Sequence, residues 1–136
     1  MKARGLIDSG GLLALLDHDD EWHARCRTAF ESTLLPLATT TAALTEVFHL
    51  LPTHEADGIW NALRSGTVVV LPVGPDDMPD IEALMGRYRD RPMDFADATL
   101  VHAARREGLR TILTVDDDFL VYRIHGKRQF QVLPPR

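Results

Sequence analysis

Carboxylates are the side chains whose type and spacing offer chemistry in this sequence. Asp8 follows an apolar run ending at Ile7, and Asp116 follows Thr111–Val115. An acid directly after a strand sits where parallel α/β sheets gather their functional groups. Each would serve equally well as a plain N-cap for a following helix. Glu46 has Ala42, Ala43 and Leu50 at i−4, i−3 and i+4. On a helix it therefore shares a stripe with small and apolar residues. No Lys or Arg occurs between Arg27 and Arg64, so no basic partner is near in sequence. A buried, unpaired carboxylate is costly. Glu46 thus calls for a distant arginine or a metal, unless it is an exposed edge residue. Asp94 and Asp97 are spaced i, i+3 and share one helix face. Asp94 suits the start of a helix, where acids complement the macrodipole. Asp97 faces the same way as Leu100 and Val101. Two neighbouring carboxylates repel unless a proton or cation intervenes.

If these acids converge, their hard oxygen atoms suit Mg²⁺ or Mn²⁺ rather than zinc. Carboxylates around two such ions would generate hydroxide and clamp a phosphodiester in line. Other chemistries find less support. His18, His23, His49, His54, His102 and His125 form neither an HxxxH nor an HExxH pair. Cys26 is the only cysteine, which excludes an internal disulfide, and it falls on an apolar helix stripe. Ser9 before Gly10-Gly11 lacks the GxSxG elbow, and the glycines match neither a P-loop nor GxGxxG.

The elements that must position the acids alternate along the chain. Arg4–Ile7 reads as a first strand, followed by a turn at Asp8-Ser9-Gly10-Gly11 and a helix carrying Leu12, Leu13, Leu15 and Leu16. Asp19–Leu34 reads as a second helix with Trp22, Cys26, Ala29 and Phe30 on one stripe. Leu35–Ala38 is expected to be a short buried strand. Thr39–Leu51 is expected to be a helix stopped by Pro52, and Thr53–Ser65 another ending at Gly66. Thr67–Val73 reads as a strand covered on both faces, because Val68, Val69, Val70 and Leu71 run together. Pro75–Arg89 and Met93 or Asp94 through Glu107 read as helices, separated by the loop Arg89-Asp90-Arg91-Pro92. Gly108 caps the second of these. Thr111–Val115, a short turn or helix from Asp116 to Leu120, and a strand at Gln129–Leu133 complete the chain. This alternation implies an α/β fold with a central parallel sheet and helices on both faces.

The 136 residues fit one domain, 1–136, with 45% hydrophobic and 26% charged residues. No apolar run approaches the roughly 20 residues of a membrane span. The first sixteen residues, broken by Asp8 and followed by Asp17, Asp19 and Asp20, lack the form of a signal peptide. A cytoplasmic location is the expectation. Fifteen Lys and Arg stand against 20 Asp and Glu, for a net charge of −5. That balance argues against holding nucleic acid by bulk attraction. It does not argue against cutting nucleic acid through metal ions, which bring their own charge. Arg87, Arg89, Arg91, Arg105, Arg106, Arg110, Arg123, Lys127, Arg128 and Arg136 lie in the C-terminal half and would form a local basic rim or a solvated surface. Trp22 and Trp60 read as helix-seam residues or as part of a docking surface.

Four segments together resemble a PIN domain of the VapC toxin ribonuclease type. They are Leu6-Ile7-Asp8-Ser9-Gly10, Thr41–Val47, Met93–Leu100 and Ile112–Phe119, and the resemblance in order and spacing extends over nearly the whole chain. It implies a three-layer α/β/α sandwich and a Mg²⁺- or Mn²⁺-dependent endoribonuclease. The family's metal-site acids fall on Asp8, Glu46, Asp97 and Asp116, with Asp94 as an additional acid. Thr114 matches a supporting hydroxyl, and Asp118-Phe119 a structural pair. Asp117 is the alternative to Asp116 as fourth acid, should the alignment slip by one residue. The resemblance further implies an RNA substrate, a homodimer and a VapB-like antitoxin whose C-terminal segment blocks the site. Another metal-dependent phosphohydrolase and an inactive binding module of the same fold remain as alternatives.

Overall fold

The short apolar runs pair into one parallel five-stranded sheet. Its strands are β1 (Gly5–Ile7), β2 (Leu37–Thr39), β3 (Val68–Val70), β4 (Thr111–Leu113) and β5 (Gln131–Leu133), ordered β3-β2-β1-β4-β5. The computed structural model describes residues 2–136, so Met1 lies outside the described residues. Helices α1 (Ser9–Leu16) and α2 (His23–Ser32) connect β1 to β2. Helices α3 (Thr41–Leu50) and α4 (Ala56–Ser65) connect β2 to β3, and α5 (Met78–Arg87) and α6 (Phe95–Glu107) connect β3 to β4.

Successive strand residues point to opposite faces, and each face has its own core. Leu6, Ala38 and Ile112 pack with Ile81 and Leu84 of α5 and with Leu100 and Val101 of α6. Ile7, Leu37 and Leu113 pack with Leu12 and Ala14 of α1, Cys26 and Ala29 of α2, and Ile59 of α4. Helix α3 contributes Ala43 to the first core and Val47 to the second. The result is the expected α/β/α sandwich.

Several elements are shorter than the sequence predicts, for local reasons. The second helix begins at His23 instead of Asp19. Asp17 and Asp20 accept hydrogen bonds from the backbone N–H of Asp19 and Trp22, at 3.0 and 2.8 Å, and these turns compete with helix. The second strand lies two residues beyond its predicted start, leaving Leu35 exposed. Thr39 ends that strand instead of starting α3, and Thr40 caps the helix through Ala43 N–H at 3.4 Å. The Val68–Val70 run is not covered on both faces, because β3 is an edge strand and Val70 is 39% exposed. Gly66 and Gly108 end α4 and α6 in the left-handed region, at φ 80° and 69°, as a glycine stop requires. Among the described residues, no helix is long and apolar enough to cross a membrane.

From β1 the chain works outward through β2 to β3, then returns to place β4 on the other side of β1. The strand order therefore reverses between β1 and β4. In open parallel sheets the crevice beyond the carboxyl ends at such a reversal is where ligands bind.

Candidate active site

Asp8 leaves β1 at this crevice and caps α1, its Oδ1 accepting from Gly11 N–H at 2.8 Å. Its Oδ2 accepts the hydroxyl of Thr114, the residue after β4. Thr114 is fully buried, and its Oγ1 also accepts from Asp116 N–H at 2.9 Å. One threonine thus ties the acid after β1 to the backbone of the acid beyond β4. Asp8 is 4% exposed, and burial raises its carboxyl to about 7. The hydrogen bonds from Thr114 and Gly11 oppose that rise, while the charges of Asp116 and Glu46 add to it.

Asp97 stands in the first turn of α6, its N–H capped by Asp94 Oδ1 at 2.8 Å. The Tyr122 hydroxyl donates to Asp97 Oδ2 at 3.2 Å. Burial raises the Asp97 carboxyl to about 8, helped by the charges of Asp94, Asp8 and Asp116. Burial pushes the Tyr122 hydroxyl upward, and the charge of the same carboxylate adds to the rise. Asp94 is an exposed N-cap, as its position at the helix start implied. Glu46 on α3 is half-buried. Desolvation and the charge of Asp94 raise it, and a hydrogen bond with Ser9 acts against them. A shallow groove links the two, lined by Ala42, Thr45, Glu46, Asp94, Phe95 and Ala96.

Asp116 opens a 3₁₀ turn at Asp117–Leu120, its Oδ1 accepting from Asp118 N–H at 2.9 Å. Burial raises this carboxyl too, with the Asp118 charge contributing. One carboxylate oxygen from each of Asp97, Asp116 and Asp118 lies within 4.8 Å of the others. Asp8 and Glu46 lie outside that tight group; the charge of Asp8 acts on Asp97, and that of Glu46 acts on Asp8. Asp117 is exposed and bonds Arg136 Nε at 2.8 Å, away from the group. Asp118 is the acid that sequence reasoning missed, having been read only as half of a structural pair with the buried Phe119. Its i, i+2 relation to Asp116 was the available signal. Its charge is offset by Arg91, whose Nη1 donates at 2.7 Å. Among the described residues no Lys or Arg forms an ion pair with Asp8, Glu46, Asp94, Asp97 or Asp116. The donor set is all hard oxygen, negatively charged and short of cations, and it fits a divalent ion.

Known proteins resemble this chain in sequence and in fold. No family model matches the chain. It is 28% identical over 134 residues to Ribonuclease VapC26 of Mycobacterium tuberculosis, covering 95% of this chain and 99% of that one. Its fold matches the crystal structure of M. tuberculosis VapC20, described as a sarcin-ricin loop cleaving toxin. The TM-score is 0.76 at 22% identity, over 83% of this chain and 90% of the other. The chain is thus similar along nearly its whole length to a VapC ribonuclease and shares the fold of a VapC toxin. A toxin–antitoxin complex from Klebsiella pneumoniae shares the fold at TM-score 0.65 and 19% identity, over 83% of this chain and 87% of that one.

Several other polar residues of this domain have structural partners. His102 Nε2 bonds Asp77 Oδ1 at 2.7 Å, and Arg106 joins the same carboxylate at 3.3 Å. Cys26 is buried and its thiol is pushed up to about 11, the opposite of an activated nucleophile. Arg123 Nη1 bonds the carbonyls of Leu120, Val121 and Tyr122, a structural role that leaves Arg91 as the arginine paired within the acidic cluster.

Proposed function

We propose that residues 1–136 act as one domain, a Mg²⁺- or Mn²⁺-dependent endoribonuclease that serves as the toxin of a VapBC-type pair. The observation that carries this reading is a cluster of carboxylates at the strand-order reversal, Asp8 and Asp97 among them raised and without a cationic partner, in a chain akin to a ribonuclease along nearly its whole length. Asp8, Glu46, Asp97 and Asp116 would hold the metal, directly or through water, with Asp94 assisting and Asp118 in reach. A divalent ion there supplies an acidified water and a counter-charge for the phosphate oxygens. The chain's own residues do the orienting. Thr114 sets Asp8 against Asp116, and Tyr122 holds one oxygen of Asp97. Asp94 fixes the first turn of α6, so the Asp97 side chain starts from a rigid helix end. Arg91 limits the repulsion that Asp118 would add.

RNA would reach an acidic protein because the bound ions invert the local charge. The similar toxin–antitoxin complex supports an antitoxin partner; that this partner is VapB-like and covers the site, and that a second copy of this chain completes a homodimer, belong to the same proposal. All of this is consistent with a cytoplasmic protein. The test is cleavage of RNA with Mg²⁺, with EDTA, and by Asp97→Asn, beside hydrolysis of a small phosphomonoester. We expect RNA cleavage that EDTA abolishes and that Asp97→Asn lowers on the order of a hundredfold or more. Cleavage surviving both treatments, or activity on the monoester alone, would reject the proposal.

A further inference from the structure

Behind the acidic cluster, the segment Pro134–Arg136 lies against α2 and the loop that follows β4. Arg25 Nη2 donates to Pro135 C=O at 2.7 Å, and the guanidinium groups of Arg25 and Arg136 lie 4.2 and 5.0 Å from the centroid of the Trp22 ring. The Arg136 side chain is 20% exposed and all three of its nitrogens are engaged. Nη1 donates to Pro134 C=O at 2.7 Å, Nη2 to Thr114 C=O at 2.9 Å, and Nε to Asp117 Oδ1 at 2.8 Å. Thr114 is the residue whose hydroxyl joins Asp8 to the Asp116 N–H, and Asp117 stands between the two acids that face Asp97.

We infer that Arg136 is a positioning residue for the metal-binding acids, an inference that rests on the metal site proposed above. Three carboxylates with oxygens within 4.8 Å repel one another, and the loop carrying two of them is short and only partly helical. Left to itself, that loop relaxes outward and separates Asp116 and Asp118 from Asp97. Arg136 grips it at both ends of the stretch 114–117, through a backbone carbonyl and through the one aspartate of the three that faces away. The planar fork suits this task because its donors are fixed relative to each other. Arg136 touches none of the carboxylates in the cluster, so it does not compete with a cation for them. Arg91 contrasts with it, because Arg91 sits on Asp118 itself. One arginine offsets charge inside the site, and the other sets its shape from outside.

The test measures Mn²⁺ affinity by calorimetry, well below the melting temperature, for wild type, Arg136→Gln, Arg136→Lys and Arg25→Gln. Circular dichroism checks that each is folded. We expect Arg136→Gln to lose about tenfold or more in Mn²⁺ affinity, the scale of losing a group that orients metal ligands. Arg136→Lys should recover part of the loss. Arg25→Gln frees the tail at Pro135 without touching Thr114 or Asp117, and should bind as wild type does. Wild-type affinity in folded Arg136→Gln would overturn the inference and leave the metal site standing. An equal loss in Arg25→Gln would assign the effect to docking of the tail as a whole and overturn it as well. Absence of Mn²⁺ binding by the wild type would overturn both the site and its positioning residue. If Arg136→Gln does not fold, Asp117→Ala at an exposed position carries the test: weaker Mn²⁺ binding supports the grip, and unchanged binding refutes it.

Discussion

Asp8 and Asp97 have carboxyls raised to about 7 and about 8, so in the absence of a cation both retain protons near neutrality. Each binds its proton more tightly in the folded chain than in the unfolded one, where the ordinary value is 3.8. The folding penalty of ionising them is fully present above about 8 and is relieved as pH falls through 8 and 7 toward 4. In EDTA the melting temperature should therefore rise on acidification from pH 8.5 to 6, and rise less in Asp97→Asn. A fall over that range would show that these groups are not the strained ones. The sequence exposed Asp97 and Glu46 through their apolar stripes and the lack of nearby cations, since helical periodicity fixes which residues share a face. For Asp8 it offered capping and function as alternatives, and one carboxylate does the first while facing the crevice of the second. Asp118 escaped notice because its direction depends on a 3₁₀ turn that no periodicity announces.

Helix α1 approaches β4 so closely that the site depends on a missing side chain. A Cβ on Gly11 would stand 2.5 Å from the Leu113 carbonyl oxygen and 3.0 Å from Ile7 Cγ1. Backbone cannot yield as a flexible side chain does, so Gly11→Ala must push α1 away and break the Asp8 cap. We expect a loss of about 1–3 kcal/mol in urea unfolding, the range for overpacking a close contact. Wild-type stability would show that α1 has room to shift. At this scale the order and kind of elements were readable from alternating strand and helix patterns. Their ends were not. Thr39 could extend β2 or begin α3, and pairing with β3 decided for the strand. The valine run of β3 looked doubly covered, yet strand order, which no local pattern encodes, put it at an edge.

Across the whole molecule a net charge of −5 and a cation-poor cluster at the sheet's reversal point would make the proposed metal binding and folding one equilibrium. A ligand bound only by the folded chain stabilises it, by about 2.7 kcal/mol at a hundred times its dissociation constant. Mg²⁺ or Mn²⁺ should raise the melting temperature, and by more at pH 8 than at pH 6, since protons compete for the same oxygens. A melting curve indifferent to millimolar metal would contradict this. The topology that brings Asp8, Asp97 and Asp116 together was only inferable from the sequence, because residues so far apart in the chain meet through a strand order that sequence leaves open. Where the ion binds is therefore the most direct question. Anomalous diffraction from crystals soaked in Mn²⁺ should give a peak among the carboxylates of Asp8, Asp97, Asp116 and Asp118. Strong Mn²⁺ density elsewhere, with none between these side chains, would contradict the account.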